Sequence, residues 1–312
     1  MAPDEMQDRK MIPVQKEIQH KPKIIVAMPA YNEEKYIGTL VLRAKGYADE
    51  VIVVDDGSVD NTAEVAHLAG AIVVRHPENR GYGAAIKSLL SEGKAREADV
   101  LVLLDADAQH DPSEIPRLIQ PLSQGYDVVI GSREMHNGNR APAYRRLGQK
   151  VLLHMTGFLS GEKLTDSESG FRAFSRKALT ELKLNENGMA ISAETIAAAA
   201  QYGLKITEVP ISVTYNKDSS TLNPIEHGLS VLMRIIAMIA ERKPLFFFGI
   251  GGLIVMIAGI IVGFRVVRIL SVTGQIAFGS ALISTILLII GIFSIFTGVI
   301  LFVIAKRNEP KK

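Results

Sequence analysis

The sequence contains no cysteine and no tryptophan, and it carries little net charge. Without cysteine, disulfides and thiolate metal sites are excluded, and a reducing compartment is compatible with the composition. Basic and acidic side chains nearly balance, which leaves a formal net charge of +2 over 312 residues. The sequence therefore gives no reason to expect a strongly anionic partner such as nucleic acid.

Residues 1–22 lack the apolar stretch that a secretory signal peptide requires. We interpret this segment as a mobile, polar N-terminal tail. In the absence of an export signal, the soluble part of the protein is expected to stay in the cytoplasm. Two phosphate-binding motifs are also missing. No Gly-x-Gly-x-x-Gly follows the first predicted strand, and no Walker pattern occurs, which argues against a dinucleotide-binding domain and a P-loop ATPase.

Short apolar strands alternate with helical segments over roughly a hundred residues of the N-terminal half, as expected for a buried parallel sheet. The polar motifs follow the strands rather than precede them. This order is typical of a nucleotide-binding α/β domain, whose ligands lie beyond the carboxyl ends of the strands. The predicted strands are Lys23–Ala30, Val51–Val54, Ala71–Val74, Val100–Leu104 and Asp127–Ile130.

The apolar strand Val100–Leu104 runs directly into two carboxylates, Asp105 and Asp107. Hard oxygen ligands at the end of a buried strand suit Mg²⁺ or Mn²⁺, and such an ion in turn suits a diphosphate. An isolated Asp-x-Asp can equally be a polar turn followed by a helix cap. The other motifs of the chain favour the metal interpretation.

The segment after residue 140 is less regular. A basic amphipathic helix is predicted over Ala143–Leu159, which could lie in a membrane interface or pack on the domain with a solvated basic face. Asp166 lies in a polar loop and Glu194 at the start of a second helix. Both carboxylates are candidates for chemistry. Their alternatives are a turn residue and a carboxylate placed to suit a helix dipole.

From residue 224 onward the chain becomes strongly apolar. We interpret residues 224–243 as an amphipathic interfacial or linker helix. The sequence of residues 244–312 predicts a transmembrane hairpin with spans at about 245–267 and 278–305, followed by a basic tail. Each uncharged run is long enough to cross a hydrocarbon core of roughly 30 Å.

The orientation of the hairpin follows from its flanking charges. We expect Arg265 and Arg268 to lie in the connecting loop, and basic residues flank the open ends at Lys243 and Lys306. The basic flanks favour the cytoplasm and the loop arginines partly offset that bias. The missing export signal then decides the orientation. We expect a two-span protein of the cell membrane whose catalytic domain and C-terminal tail face the cytoplasm.

Six motifs occur in an order that is specific as a set although each motif alone is weak. The motifs are Pro29-Ala-Tyr-Asn-Glu-Glu34, Val53-Val-Asp-Asp-Gly-Ser58, Asn79-x-Gly-x-Gly-Ala84, Asp105-Ala-Asp-Ala-Gln-His110, Gly131-Ser-Arg133 and Ser169-Gly-Phe-Arg172. With them, the chain resembles a family 2 glycosyltransferase with a GT-A fold, of the dolichol-phosphate mannose synthase and polyprenyl-phosphate glycosyltransferase type. The resemblance covers about residues 23 to 225, and we predict a catalytic domain over residues 23–223.

The resemblance implies an activity. One sugar would pass from a nucleotide-diphosphate sugar to dolichyl or polyprenyl phosphate with inversion, with GDP-mannose favoured as donor and a UDP-sugar possible. Mg²⁺ or Mn²⁺ would be the cofactor, the lipid bilayer a partner, and an oligomer is possible. Processive synthases carry Gln-x-x-Arg-Trp, which a chain without tryptophan cannot have. The loop Tyr215–Thr221 departs from the usual arginine and Ser-Lys of mannose synthases, which leaves the donor sugar open.

The resemblance also implies roles for individual residues, with Asp107 and Arg133 as the catalytic pair. Asp56 is expected to contact the base, with Asp55 beside it. The nucleotide would be bound by Pro29, Ala30, Tyr31, Glu33, Asp55, Asp56, Asp105 and Ala106; the metal by Asp105, Asp107 and Gln109; the acceptor phosphate by Arg133, Arg145 and Arg146; and the donor diphosphate or sugar by Asp166, Glu194, Lys217, Ser219 and Ser220. His110 is expected to support the site rather than bind a ligand.

The type of acceptor determines whether a base is needed. A lipid monophosphate with a second pKa near 6 is already mostly an oxyanion at neutral pH, so arginines rather than a base would serve it. A sugar or lipid hydroxyl acceptor would need a base, and Glu194 or Asp166 would be the candidates. A third alternative is a membrane protein that binds nucleotide sugars without catalysis.

Overall fold

The computed structural model describes residues 21–135, 143–214 and 224–307, without the side chains of 143–147, 224–227 and 307. The predicted mobile tail therefore lies almost entirely outside the described residues. The α/β alternation predicted from the sequence is confirmed, and it continues into two long apolar helices at the C-terminal end.

Seven strands form one sheet in the order β3-β2-β1-β4-β6-β5-β7. All neighbouring strands are parallel except that β6 runs antiparallel to both β4 and β5. The strands are β1 Ile24–Ala30, β2 Glu50–Asp55, β3 Ile72–Arg75, β4 Val100–Leu103, β5 Val128–Ser132, β6 Arg172–Ser175 and β7 Ile206–Pro210.

Helices cover both faces of the sheet, because successive strand residues point to opposite sides and both sides are apolar. On β1, Val26 and Met28 enter the cluster beneath α1, α2 and α4, whereas Ile25 and Ala27 enter the cluster beneath α3, α6 and α7. The helices of this domain are α1 Ile37–Ala44, α2 Thr62–Leu68, α3 Tyr82–Ala95, α4 Ile115–Ser123, α5 Ala143–Ser160, α6 Arg176–Glu181 and α7 Ile191–Gln201.

The antiparallel strand β6 brings a second group of loops to the site. The parallel strands all end at one edge of the sheet, and β6 begins at that edge. The polar loop that leads into Arg172 is therefore placed beside the residues that follow β4 and β5. Beyond β7, the described chain forms a single bridge between Val213 and His110 rather than a second strand.

A third apolar cluster joins the sheet domain to the segment that precedes the hairpin. It is formed by α5, α7 and α8, which spans Pro224–Arg242. Ile235 of α8 is fully buried in this cluster, next to Ala193 and Ala197 of α7. The small side chains of α7 let the larger residues of α8 pack closely against it, so α8 is fixed on the domain along one face.

Two described helical stretches are long and apolar enough to cross a membrane, Leu245–Thr273 and Phe278–Lys306. In the most apolar part of each, only 11 % of the residues are buried. The first opens with a π-helical turn, Leu245–Ile250, and continues as α9, Gly251–Thr273; the second is α10, Phe278–Arg307. Glycines let the two approach closely. A Cβ on Gly291 of α10 would lie 2.7 Å from the Gly252 carbonyl oxygen.

The prediction that Arg265 and Arg268 lie in the connecting loop is wrong. Helix α9 continues through both arginines to Thr273 and is ended by Gly274, which has a φ of +67°. Between Arg265 and Gly274 there is no glycine or asparagine to adopt the left-handed conformation that commonly ends a helix, and the flexible arginine stems can carry their charged ends outward. The turn between the helices is correspondingly short.

Candidate active site

Two motif loops at the ends of β1 and β2 are hydrogen-bonded to each other. The backbone N–H of Asn32 donates to Ser58 Oγ at 2.9 Å, and the N–H of Val59 donates to Asn32 Oδ1 at 3.0 Å. Asn32 has a φ of +56°, a conformation that asparagine tolerates better than most residues. The turn leaves Tyr31 45 % exposed beside the buried Ala30, so the Tyr31 side chain is accessible at the edge of the sheet.

The two aspartates at the end of β2 are buried and bound to protein groups. Asp55 accepts from the Ser58 N–H and lies 3.0 Å from Arg75 Nε. Asp56 is bonded to His76 Nδ1, and its Oδ2 accepts from the Gly81 N–H at 2.8 Å. With 3 % exposure, Asp56 holds the loop before α3 rather than presenting its carboxylate to a nucleotide base. The sequence alone did not indicate this inward role.

Asp105 is held on two sides after β4. Its Oδ1 accepts from the Tyr82 hydroxyl at 2.9 Å, and its Oδ2 lies 4.0 Å from His110 Nε2. A Cβ on Gly170 would meet Oδ2 at 2.1 Å, so only glycine fits there. Burial raises the pKa of Asp105, although the Tyr82 hydrogen bond and the Arg133 charge oppose the shift.

Asp107 is the second carboxylate of the motif, and it points to the same edge. Its Oδ1 accepts from the Gln109 N–H at 3.0 Å across Ala108, which has a φ of +57°. Burial raises the pKa of Asp107, and the charge of Asp105 raises it further. A left-handed alanine is uncommon and indicates a turn held by its surroundings at a functional position.

Negative charge accumulates at this place. Burial raises the pKa of Glu33 to about 7, with further contributions from Asp107, Asp60 and Asp105. Among the residues that the structure describes, no three histidine, aspartate or glutamate side chains are grouped as a ready metal site. Asp105, Asp107 and the amide of Gln109 nevertheless fit a hard cation that completes its shell with water and diphosphate oxygens, as Mg²⁺ usually does.

Arg133, after β5, forms a bidentate pair with Asp166 from the loop before β6. Arg133 Nε and Nη2 donate to the two carboxylate oxygens at 2.6 and 2.8 Å. Burial opposes ionisation of Asp166, but the Arg133 charge and hydrogen bonds outweigh it and lower the pKa. Glu208 of β7 accepts from the N–H groups of Thr165 and Asp166, at 2.7 and 2.9 Å. The pair is thus held in place by β7, the edge strand next to β5.

Glu194 has a structural role in this structure. Both of its oxygens accept from the Asn185 N–H at 3.0 Å, and Oε2 also accepts from the Glu186 N–H at 2.9 Å. The loop fixed in this way places the Asn187 carbonyl against the N–H of Gly83, at 2.7 Å. Of the two alternatives that the sequence left open, the structure favours the structural one for Glu194.

Three residues that sequence reasoning did not assign to the site contribute to it: Tyr82, Arg172 and Glu208. Arg172 is buried and donates to the backbone carbonyls of Ser167, Ser169 and Ser192 at 2.7 to 3.0 Å. It therefore ties the polar loop to α7. Its place in the Ser169-Gly-Phe-Arg172 motif was a signal for it, whereas Tyr82 and Glu208 gave none that pointed to their partners.

His110 supports the site, as expected from the sequence. Its ring lies 5.3 Å from the Phe171 ring and is 5 % exposed. Burial and the nearby Arg133 lower the pKa of His110 to about 4, so the imidazole is neutral near pH 7. A neutral ring next to Asp105 can fill space there without neutralising the carboxylate.

The remaining predicted residues are placed as follows. Ala106 is buried between the two aspartates, and Pro29 lies in β1 beside Val54. Arg145 and Arg146 lie in the first turn of α5, and their side chains are outside the described residues. Lys217, Ser219 and Ser220 also lie outside the described residues.

A mostly parallel sheet with one antiparallel strand, and a carboxylate pair after the central strand, together define the GT-A class of glycosyltransferase domains. The model of the family "Glycosyl transferase family 2" matches residues 25–183. The chain belongs to this family, and it is a glycosyltransferase.

Three relatives are named for transfer to dolichyl or dolichol phosphate. A UDP-N-acetylglucosamine–dolichyl-phosphate N-acetylglucosaminyltransferase of Methanococcus voltae is 33 % identical, over 69 % of this chain and 95 % of the relative. A dolichyl-phosphate hexose transferase of Haloferax volcanii is 31 % identical, over 70 % and 95 %. A dolichol-phosphate mannosyltransferase of Pyrococcus furiosus is 34 % identical, over 61 % and 56 %.

Solved structures of glucosyl-3-phosphoglycerate synthase from Mycobacterium tuberculosis share the fold. The one in complex with Mg²⁺ and uridine diphosphate is 25 % identical, with a TM-score of 0.53, over 70 % of this chain and 78 % of the solved chain.

Proposed function

We propose that the protein transfers one sugar from a nucleotide-diphosphate sugar to the phosphate of a dolichyl or polyprenyl lipid, with inversion at the anomeric carbon. The observation that carries the proposal is the bidentate Arg133–Asp166 pair at the same sheet edge as Asp105 and Asp107. A fixed guanidinium beside a carboxylate pair suits a reaction that brings one phosphate to another. The names of the relatives support the same acceptor class.

The donor would lie across the carboxyl ends of β1, β2 and β4. Tyr31 would flank the nucleotide, and Asp105, Asp107 and Gln109 would hold Mg²⁺ or Mn²⁺ at its diphosphate. A divalent ion at this position supplies Lewis-acid stabilisation of the charge that develops on the leaving diphosphate. The Mg²⁺ and uridine diphosphate in the solved relative support this arrangement.

The acceptor phosphate would be oriented by Arg133, with Arg145 and Arg146 from α5. No general base is required, because a phosphate monoester is already an oxyanion at neutral pH. The environments of Glu194 and Asp166, the two carboxylates that were candidates for a base, agree with this. Glu194 has both oxygens on backbone N–H groups, and Asp166 is engaged by Arg133. A hydroxyl acceptor is therefore less well served by these residues.

The membrane would hold the lipid substrate at the site. Helices α9 and α10 would span the cell membrane with the catalytic domain and C-terminal tail in the cytoplasm, and α5 and α8 would lie near its surface. A polyprenyl chain stays in the bilayer because each methylene transferred to water costs about 0.8 kcal/mol. An enzyme for such an acceptor must therefore bring its site to the headgroup level.

The test is transfer in membranes that contain the protein, with a panel of radiolabelled GDP- and UDP-sugars and polyprenyl phosphate. We expect one donor, with GDP-mannose favoured by the resemblance, to yield a labelled lipid phosphate sugar. The variant Asp107→Ala and a chelator should each abolish the product. The exchange Glu92→Gln, at a partly buried position on the far part of α3, is the control. Transfer to a hydroxyl acceptor, or full activity with chelator, would contradict the proposal.

A further inference from the structure

We propose that Tyr82 is a positioning residue, whose hydroxyl holds the Asp105 carboxylate in the orientation that binds the donor diphosphate and its divalent cation. The inference rests on the proposed function, because it assigns Tyr82 to the same donor site. It adds a residue from the Asn79-x-Gly-x-Gly-Ala84 segment, whose contribution to that site the motif alone does not reveal.

The contact itself is specific. The Tyr82 hydroxyl donates to Asp105 Oδ1 at 2.9 Å. The other oxygen, Oδ2, packs against Gly170, where an added Cβ would come within 2.1 Å. The torsion that turns an aspartate carboxylate is broad, so a carboxylate keeps one orientation only when its oxygens are held. Here Tyr82 supplies the directional bond, and Gly170 supplies a wall.

The position of the Tyr82 ring is set from two distant parts of the chain. On one side, the N–H of Gly81 donates to Asp56 Oδ2 at 2.8 Å, at the end of β2. On the other, the N–H of Gly83 donates to the Asn187 carbonyl at 2.7 Å. Gly81 has a φ of +96°, and a Cβ there would lie 2.6 Å from that carbonyl oxygen. The first turn of α3 is therefore fixed, and the hydroxyl cannot shift independently.

Two roles of Tyr82 can be separated. The ring packs against the apolar cluster beneath α3, and phenylalanine would pack there in the same way. The hydroxyl reaches Asp105, whose side chain is 26 % exposed, so water can solvate the carboxylate when the hydroxyl is absent. Loss of the hydroxyl should therefore affect ligand binding, while the fold is retained.

The experiment compares full-length wild type with Tyr82→Phe in detergent. Binding of Mn²⁺ is followed by electron paramagnetic resonance with UDP or GDP present, and kcat and donor KM are measured in parallel. A hydrogen bond to a charged group is typically strong enough to change affinity about tenfold or more. We expect the Mn²⁺–nucleotide dissociation constant and the donor KM to rise about tenfold, with an unchanged unfolding midpoint.

Two controls make the result specific. Tyr126→Phe removes a hydroxyl from a partly buried tyrosine of the opposite cluster and should leave binding unchanged. In an Asp105→Ala background, which removes the acceptor of the Tyr82 hydroxyl, Tyr82→Phe should cause no further loss of nucleotide affinity, because Tyr82 acts through Asp105.

The outcomes are distinguishable. Wild-type binding by Tyr82→Phe, or a lowered unfolding midpoint that accounts for the whole loss, would overturn the inference and leave the proposed function intact. If the wild type itself binds neither Mn²⁺ nor nucleotide, the proposed donor site fails and the inference fails with it. An additive loss in the Asp105→Ala background would also overturn the role through Asp105.

Discussion

At the scale of single residues, the two sides of the site differ in how their carboxylates are compensated. On the proposed donor side, burial raises the pKa of both Asp105 and Asp107. On the proposed acceptor side, Arg133 outweighs burial and lowers the pKa of Asp166. Asp105 and Asp107 are therefore suited to a cation that arrives with a substrate, whereas Arg133 is already oriented by its own partner.

Glu33 gives a pH-dependent prediction. Its pKa is raised to about 7 in the folded protein from an ordinary value of 4.5. The folded state holds the Glu33 proton more tightly than the unfolded state does. The resulting contribution of Glu33 to the stability of the fold is complete below pH 4.5 and is lost as the pH rises through about 7. In metal-free protein, Glu33→Gln should gain in unfolding midpoint relative to wild type between about pH 5 and 8.

The measurement is thermal unfolding in detergent with chelator, at about pH 5 and at about pH 8. Glu64→Gln, an exposed exchange on α2, corrects for the loss of one charge. An identical pH dependence of wild type and Glu33→Gln would show that Glu33 does not take up the proton.

Asp166 gives a second prediction at this scale. Asp166→Asn removes the charge that holds Arg133 and leaves the guanidinium less well oriented. We expect kcat/KM for the lipid acceptor to fall about tenfold or more, while nucleotide affinity changes little. Steady-state kinetics with varied acceptor, together with nucleotide titration, check this. Glu92→Gln, which breaks a partly buried pair with Arg96 at the end of α3, is the matched control, and an equal loss of nucleotide affinity in Asp166→Asn would count against the prediction.

At the scale of elements, the loop before α7 links a helix start to the catalytic edge. Glu194 binds its backbone N–H groups, and the loop in turn caps α3 through the Asn187 carbonyl. An N-terminal helix turn could bind a phosphate, but the turn of α3 is already occupied by this carbonyl. Residues 79–83 therefore position Tyr82. The proposed place of the donor diphosphate is next to Asp105 and Asp107, not at the start of α3.

The prediction for this element separates structure from catalysis. Glu194→Gln replaces an acceptor oxygen with a donor group facing backbone N–H groups, so it should destabilise the fold by about 1–3 kcal/mol. Turnover of the protein that remains folded should be nearly unchanged. Unfolding midpoints and kcat below the transition check it. A large loss of kcat at unchanged stability would instead restore Glu194 as a base and favour a hydroxyl acceptor.

At the scale of the whole molecule, the hairpin and the catalytic domain meet at one small junction. Lys243 donates to the Phe158 carbonyl at the end of α5, and the Phe158 ring lies 4.6 Å from the Phe246 ring. Arg242 donates to Gln201 at the end of α7, at 3.0 Å. These contacts fix where the domain stands relative to the apolar helical stretch that begins at Leu245.

Removing residues 245–312 tests the anchoring role. In the most apolar stretch of each of these two helices only 11 % of the residues are buried, so the helices should dominate membrane affinity. We expect the truncated protein to remain in the supernatant when sedimented with vesicles, whereas the full chain pellets. If the truncated protein still pellets, α5 and α8 provide the binding.

The sequence by itself determined the α/β alternation, the two spans and the ordered motifs, because these depend on local period, length and residue type. It placed Asp105 and Asp107 at a strand end for the same reason. It did not determine that β6 runs antiparallel, which brings Asp166 to Arg133. Nor did it show that Asp56 points inward, or that Tyr82 reaches Asp105.

Those features are decided by the tertiary structure, because they join residues far apart in the chain. Tyr82 and Asp105 are 23 positions apart, and Arg133 and Asp166 are 33 apart. No local pattern encodes such a contact, since it exists only once both sheet faces are packed and the loop ends are fixed. The sequence therefore indicates the type of chemistry, whereas the orientation of the side chains at the site depends on the packed fold.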